Sequence, residues 1–153
     1  MSIILEFRGD YAFLSNYYPC RVEYEGDVYT SVENAYQASK FPKELREPFF
    51  HCRPGVAKKM SRTTDIPIRK EFKRDKVKIM KELVLQKFSN SYKLKRKLLD
   101  TKDSILVEGT TLGDTFWGVD LKKPCKECEF GYEGENMLGK ILMEVREILR
   151  NEK

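Results

Sequence analysis

Apolar residues change their spacing along this chain, and that change decides which architectures are open to it. Over the first thirty residues the pattern is extended. Ile3-Ile-Leu-Glu-Phe7 suits a strand, and Arg21-Val-Glu-Tyr-Glu25 followed by Gly26-Asp-Val-Tyr-Thr30 suits a hairpin turning near Gly26. Beyond Thr30 the period becomes helical. Thr30-Ser-Val-Glu33 reads as a capping box, with Thr30 as the cap, opening a helix that runs to about Phe41 and stops at Pro42. A short helix is expected over Gly55 to Ser61. A longer one is expected from about Arg69 to Phe88, with Phe72, Val77, Met80, Val84 and Phe88 along one stripe. Ser91 caps a segment ending near Leu99, and Ser104-Ile-Leu-Val-Glu108 has the composition of a buried strand. A last helix from about Glu135 to Arg150 carries Leu138, Ile141, Leu142, Val145 and Leu149 on one face. Strands and helices follow one another without regular alternation. The expected class is therefore α+β, a small mixed sheet flanked by several helices in one domain spanning residues 1–153.

The length of 153 residues, with 41% apolar side chains, allows one respectable core. No apolar run approaches the ~20 residues of a membrane helix, and the first residues lack the basic and apolar regions of a signal peptide. A cytoplasmic protein with no membrane partner is expected. In that setting Cys20, Cys52, Cys125 and Cys128 are expected to be reduced. Cys125-Lys-Glu-Cys128 resembles half of a zinc site, but His51-Cys52 is the only other ligand cluster and its separation fits no finger pattern. Two loop thiols are the simpler expectation. Charge is unevenly spread: Lys58 to Lys102 holds 16 basic and 5 acidic residues, a balance of 16 − 5 = +11 within a chain of net charge +5. Such a stretch suits either solvated helix faces or attraction of phosphates and nucleic acid.

Two constellations carry groups with chemical capacity. Glu33, Gln37 and Lys40 fall at i, i+4 and i+7, hence on one helix face, with Tyr36 beside them. They would suit one wall of a polar pocket. The spacing is equally compatible with a capping glutamate and a solvated lysine near a helix C-terminus. The second constellation comprises Glu108 after an apolar strand, Asp114, Trp117 and Gly118 in a glycine-bearing loop, and Asn136 before the last helix. Trp117 could stack on a heterocycle or simply fill the core, and Asn136 could cap the helix. With a single histidine, histidine-rich metal chemistry lacks parts, and neither a Walker loop nor a dinucleotide fingerprint occurs.

Taken in order, Phe7-Arg-Gly-Asp-Tyr-Ala-Phe-Leu-Ser-Asn-Tyr-Tyr-Pro19, Ser31-Val-Glu-Asn-Ala-Tyr-Gln-Ala-Ser-Lys-Phe41, Lys87-Phe88, Leu106-Val-Glu108, Asp114-Thr-Phe-Trp-Gly118 and Asn136-Met-Leu-Gly139 resemble the YbiA-like, or NADAR (NAD and ADP-ribose associated), family. The resemblance implies an α+β fold and an N-glycosidase that needs no metal or other cofactor. The implied substrates are phosphoribosylamino-pyrimidine intermediates of riboflavin synthesis, or ADP-ribose attached to guanine, free or on nucleic acid. It further implies that Lys40 attacks the ribose anomeric carbon to give a Schiff base, assisted by Glu33, Glu108 and Asp114. On that scheme Glu33 transfers the proton, Asp114 orients sugar hydroxyls and Trp117 stacks on the base. Arg8 or Arg62 holds phosphate. Gly9, Asn16, Gln37, Gly118 and Asn136 join Glu108 in lining the substrate site. The alternative from another class is a non-catalytic module binding ADP-ribose or nucleic acid. Four positions depart from the family pattern: Asn34 in place of a histidine, Ser61 in place of a glycine, Phe72 in place of a tryptophan, and a lengthened loop over 122–130.

Overall fold

The computed structural model describes residues 2–152. In chain order the elements are β1 (Ile3–Ile4), β2 (Val22–Tyr24), β3 (Asp27–Tyr29), α1 (Val32–Ala38), α2 (Pro54–Thr63), α3 (Phe72–Ser89), α4 (Tyr92–Leu99), β4 (Ile105–Leu106), β5 (Gly109–Thr110), β6 (Val119–Pro124), β7 (Tyr132–Glu133) and α5 (Met137–Arg150). The class is α+β, but the single small sheet expected from the sequence is replaced by three separate pieces. These are a parallel β1–β4 pair, a β2–β3 hairpin, and a three-stranded arrangement in the order β5–β6–β7. The strands are too short for their side-chain pattern to announce which partner each one takes. Ile3 pairs with Ile105 across a hundred residues of sequence. Residues 8–19, between β1 and the hairpin, contain a 3-10 helix from Gly9 to Leu14.

The chain falls into two compact units, one from Asn16 to Tyr92 and the other made of the N-terminal residues to Ser15 together with Lys93 onward. In the first unit, Val22, Tyr29, Val32, Ala35, Ala38, Leu83 and Phe88 are buried completely. The inner face of α3 consists of Phe72, Ile79, Met80, Leu83, Val84, Lys87 and Phe88, so Val77 is less central than its spacing suggests and a lysine stands in the apolar stripe. Lys87 is only 2% exposed, with its ammonium 5.0 Å from the centre of the Phe88 ring and 5.7 Å from that of Tyr18. In the second unit, Leu138, Ile141, Leu142, Val145 and Leu149 of α5 are buried with Leu106 and Val107. Burial of roughly five such aliphatic side chains, at ~1.5–3 kcal/mol each, is what keeps α5 seated.

The loop over 122–130 holds the clearest correction to the sequence reading. Cys125 and Cys128 are joined in a disulfide, with Cα atoms 5.3 Å apart, whereas Cys20 and Cys52 remain free thiols. Both bridged cysteines belong to the turn that returns β6 to β7, where Cys125 N–H donates to Gly131 O at 2.9 Å and brings the ends of the loop together. Among the described residues no group of three or more His, Cys, Asp or Glu is placed to hold a metal ion, and no helix is long and apolar enough to cross a membrane.

Candidate active site

The first constellation rests on α1, and the way this short helix is capped determines what its side chains are available to do. Ser31, not Thr30, is the N-cap. Its backbone is extended, its Oγ accepts from Asn34 N–H at 3.0 Å, and the same hydroxyl donates to Asn34 Oδ1. Thr30 Oγ1 instead donates to Phe50 O at 3.3 Å. Asn34 completes the arrangement by donating its carboxamide hydrogens to Phe49 O and Cys52 O, at 2.9 and 2.7 Å. The capping work assigned to Glu33 from the sequence therefore falls to Ser31 and Asn34. Glu33 is left facing along the helix, where its Oε2 accepts from Gln37 Nε2 at 2.6 Å. Its own backbone N–H donates to Asn16 O.

The other end of α1 is pinned by two arginines that satisfy carbonyls a helix terminus leaves without intrahelical partners. Arg69 donates through Nε to Ser39 O at 2.6 Å and through its backbone N–H to Lys40 O at 2.8 Å. Arg46, 2% exposed, donates through Nε to Phe41 O at 2.8 Å and pairs with Glu25 at 2.6 Å. Lys40 thus has a fixed backbone. Its side chain is half-buried, with Nζ 3.3 Å from Ser61 Oγ and 5.6 and 5.8 Å from the ring centres of Tyr36 and Phe72.

That environment works against the ammonium form. Burial is the largest influence and lowers the Lys40 pKa; the Glu33 carboxylate opposes it, while Arg62, Lys58 and Lys76 push the same way as burial. Lys58 and Arg62 are four residues apart on α2 and so project from one face of that helix. Glu33 and Gln37 are 8% and 4% exposed, and Gln37 Oε1 is buried without a hydrogen-bond donor among the described residues. The combination is an amine biased toward neutrality, a carboxylate oriented by an amide, an acceptor for one further donor, and cations on the neighbouring helix. Ser61, Lys58 and Lys76 were not among the residues expected here, because they reach Lys40 through the packing of α2 and α3 and not through spacing on α1.

Asn16, another expected substrate contact, is buried in the same unit with its Nδ2 3.4 Å from Met80 Sδ. Arg62 is exposed. The remaining expected residues lie in the other unit. Arg8 and Gly9 are exposed and lead into the 3-10 helix. Asp114 Oδ1 accepts from Phe116 and Trp117 N–H at 3.1 and 2.9 Å, so the aspartate shapes the turn that carries Trp117. Trp117 is half-buried against the edge of Phe116. Asn136 occupies the N-cap position of α5 but its side chain does not cap the helix. It is fully buried, accepting from Glu108 N–H at 2.9 Å and donating to Leu106 O at 3.0 Å. The donors of the α5 entry are met by the loop instead: the N–H groups of Glu135, Asn136, Met137 and Leu138 go to the carbonyls of Thr115, Gly118, Phe116 and Trp117. Gly118 is buried, and its backbone lies so close to Glu108 O that a Cβ there would collide with it.

A family model for the NADAR domain matches residues 6–150. The chain belongs to the NADAR family. Among curated proteins it is 34% identical over 146 residues to an N-glycosidase of Nostoc punctiforme, covering 92% of this chain and 87% of that one. It is 33% identical over 147 residues to the N-glycosidase YbiA of Escherichia coli, covering 94% and 85% of the two chains. A riboflavin biosynthesis protein of Vibrio vulnificus is 34% identical over 143 residues, which are 92% of this chain but 36% of that protein. The NMR structure of Escherichia coli YbiA superposes with a TM-score of 0.80 at 31% identity, over 97% of this chain and 85% of that one. This NADAR chain is accordingly an enzyme of the N-glycosidase group.

Proposed function

We propose that this chain hydrolyses the C–N bond between ribose and a nitrogen base in a phosphorylated ribosylamino-pyrimidine, with Lys40 as the attacking group. The observation carrying this reading is the Lys40 amine itself, half-buried on a pinned helix terminus and drawn toward its neutral form by burial and by the neighbouring cations. A lysine attacks a carbon centre only as the neutral amine, and a cation-rich, partly dry setting raises the share of that form. Nζ bonds to the anomeric carbon as the C–N bond to the base breaks, and the electron pair leaves with the base nitrogen. The attacking nitrogen, now cationic, gives a proton to the Glu33 carboxylate, which passes it to the departing base nitrogen, and the carboxylate so restored faces the positive charge at the sugar. The ribose ring then opens, the remaining hydrogen of Nζ passing to the ring oxygen as the new C–N link becomes a Schiff base, and water adds across that bond to release the sugar as its aldehyde and restore the amine. Gln37, holding Glu33 through Nε2, offers its buried Oε1 to a substrate hydroxyl or amino hydrogen. Lys58 and Arg62 are the groups suited to the phosphate.

The pyrimidine is preferred over ADP-ribosyl guanine because a curated relative is named for riboflavin biosynthesis. Incubation with each substrate in turn, with released base and sugar identified by mass spectrometry, distinguishes the two classes. Borohydride added during turnover is expected to leave a sugar adduct on Lys40, and Lys40→Ala is expected to bind nucleotide while losing turnover. Turnover by Lys40→Ala without a trapped adduct would instead mean direct attack by water. Equal binding with no turnover by either protein would leave a binding module.

A further inference from the structure

We propose that Cys125 and Cys128 constitute a reversible thiol–disulfide modification site that sets the order of the turn carrying Trp117. The inference concerns the unit containing α5 and does not depend on the reaction proposed for Lys40. The bridge fixes a four-residue turn, Cys125 to Cys128, and both bridged residues hydrogen-bond Gly131, the residue before β7: Cys125 N–H donates to Gly131 O and Gly131 N–H donates to Cys128 O; β7 pairs with β6 at two register positions, Asp120 with Glu133 and Pro124 with Tyr132, with an irregularity between them. Few ladder bonds therefore hold β7 in place, and the turn fixed by the bridge anchors its entry through Gly131. Immediately after β7 comes Gly134, at φ +140°, pressed so closely against Gly118 O and Val119 Cα that a Cβ would collide with both. The next four residues, Glu135 to Leu138, donate the four hydrogen bonds that hold the carbonyls of residues 115–118. The disulfide, β7, Gly134 and this clamp are consecutive in the chain, so a change in loop order has a continuous physical route to Trp117.

Both bridged cysteines are half-buried rather than enclosed, which leaves the bond within reach of a small or protein dithiol. A thiolate of the reductant attacks one sulfur, a mixed disulfide forms as the Cys125–Cys128 bond breaks, and the departing thiolate takes a proton. The reductant's second thiol then attacks the mixed disulfide, frees the other cysteine as a thiol and leaves as its own disulfide. Two electrons and two protons reach the protein. Glu127 Oε2 lies 3.8 Å from Cys125 Sγ, where it can accept the S–H of the reduced form.

The chain has one tryptophan, so its fluorescence reports on the turn directly. The full chain is equilibrated in mixtures of reduced and oxidised dithiothreitol, and thiols are counted by mass after alkylation. Two thiols are expected in the oxidised protein and four in the reduced one. Trp117 emission should change over the same range, and amide exchange at Met137 and Leu138 should accelerate on the order of tenfold on reduction. Cys125→Ser/Cys128→Ser should remain in the fast-exchanging state throughout, whereas Cys20→Ser/Cys52→Ser should respond like the parent. Four thiols under oxidising conditions would overturn the proposal. So would a bond that forms and breaks while emission and exchange stay constant, or a slow-exchanging Cys125→Ser/Cys128→Ser protein.

Discussion

Replacing Asn136 by alanine tests whether one buried amide holds the end of the β4 segment to the start of α5. The side chain accepts from Glu108 N–H at 2.9 Å and donates to Leu106 O at 3.0 Å, and at 0% exposure no solvent stands ready to replace it. Truncation leaves a backbone donor and a backbone acceptor unpaired, at about 1–3 kcal/mol each. Asn136 also sits at φ 50°, a conformation that asparagine tolerates and that costs an alanine about 1–2 kcal/mol. Partial relaxation reduces the sum, and a loss of about 4 kcal/mol is expected. For a urea m-value of about 2 kcal/mol/M this moves the unfolding midpoint down by about 2 M. Trp117 emission is a suitable probe, since the tryptophan lies in the turn clamped by the residues after Gly134. Asn136→Gly loses the same two bonds without the backbone penalty, so it should be the more stable variant by about 1 kcal/mol. A midpoint shift under about 0.5 M for the alanine variant, or identical midpoints for the two, would refute this account of Asn136.

The pH dependence of turnover offers a test of the Lys40 environment. On the proposed mechanism the neutral amine attacks, so the rate should rise with pH through the Lys40 pKa and level off below the ordinary lysine value of 10.5. A neighbouring cation penalises the protonated amine, so Arg62→Gln should raise that pKa, move the limb to higher pH and slow turnover at neutral pH; an unmoved limb, or one displaced downward, would remove Arg62 from this role. Arg46→Met should cost about 2 kcal/mol in chemical denaturation, because Phe41 O loses its buried donor. The Glu25 side chain paired with it is 54% exposed, so Glu25→Ala should cost well under 1 kcal/mol; equal losses for the two variants would place the stabilisation in the ion pair instead.

The division between what was legible in the sequence and what was not follows the range of the interactions. The stripes of α3 and α5 and the β2–β3 hairpin are local patterns, and they are found close to their expected positions. The pairing of Glu33 with Gln37 is equally local, since positions four apart on one helix share a face; Lys40 lies two residues beyond the end of α1, where Arg69 holds its carbonyl. Pairing of two-residue strands is not local, and neither is the burial of Lys87, whose surroundings include Tyr18 from far upstream. The choice of cap shows the limit most clearly. Thr30 and Ser31 are both competent hydroxyl caps, and only the tertiary position of Phe50 O, which engages Thr30, separates them.

That choice of cap bears on the chemistry. A capping box led by Thr30 would turn Glu33 back to the helix entry, away from Lys40. With Ser31 and Asn34 satisfying the N-terminus, Glu33 is oriented by Gln37 along the face that Lys40 shares. Asn34 achieves this because its carboxamide both engages Ser31 and ties α1 to Phe49 O and Cys52 O. Four features that the sequence singled out contribute to the local architecture: Asn34 fixes the helix entry, Ser61 meets the Lys40 amine, Phe72 lies beside that amine, and the 122–130 loop carries the disulfide. Placing histidine at position 34 would replace two carboxamide hydrogens by one imidazole hydrogen in the neutral ring, too few to meet both Phe49 O and Cys52 O.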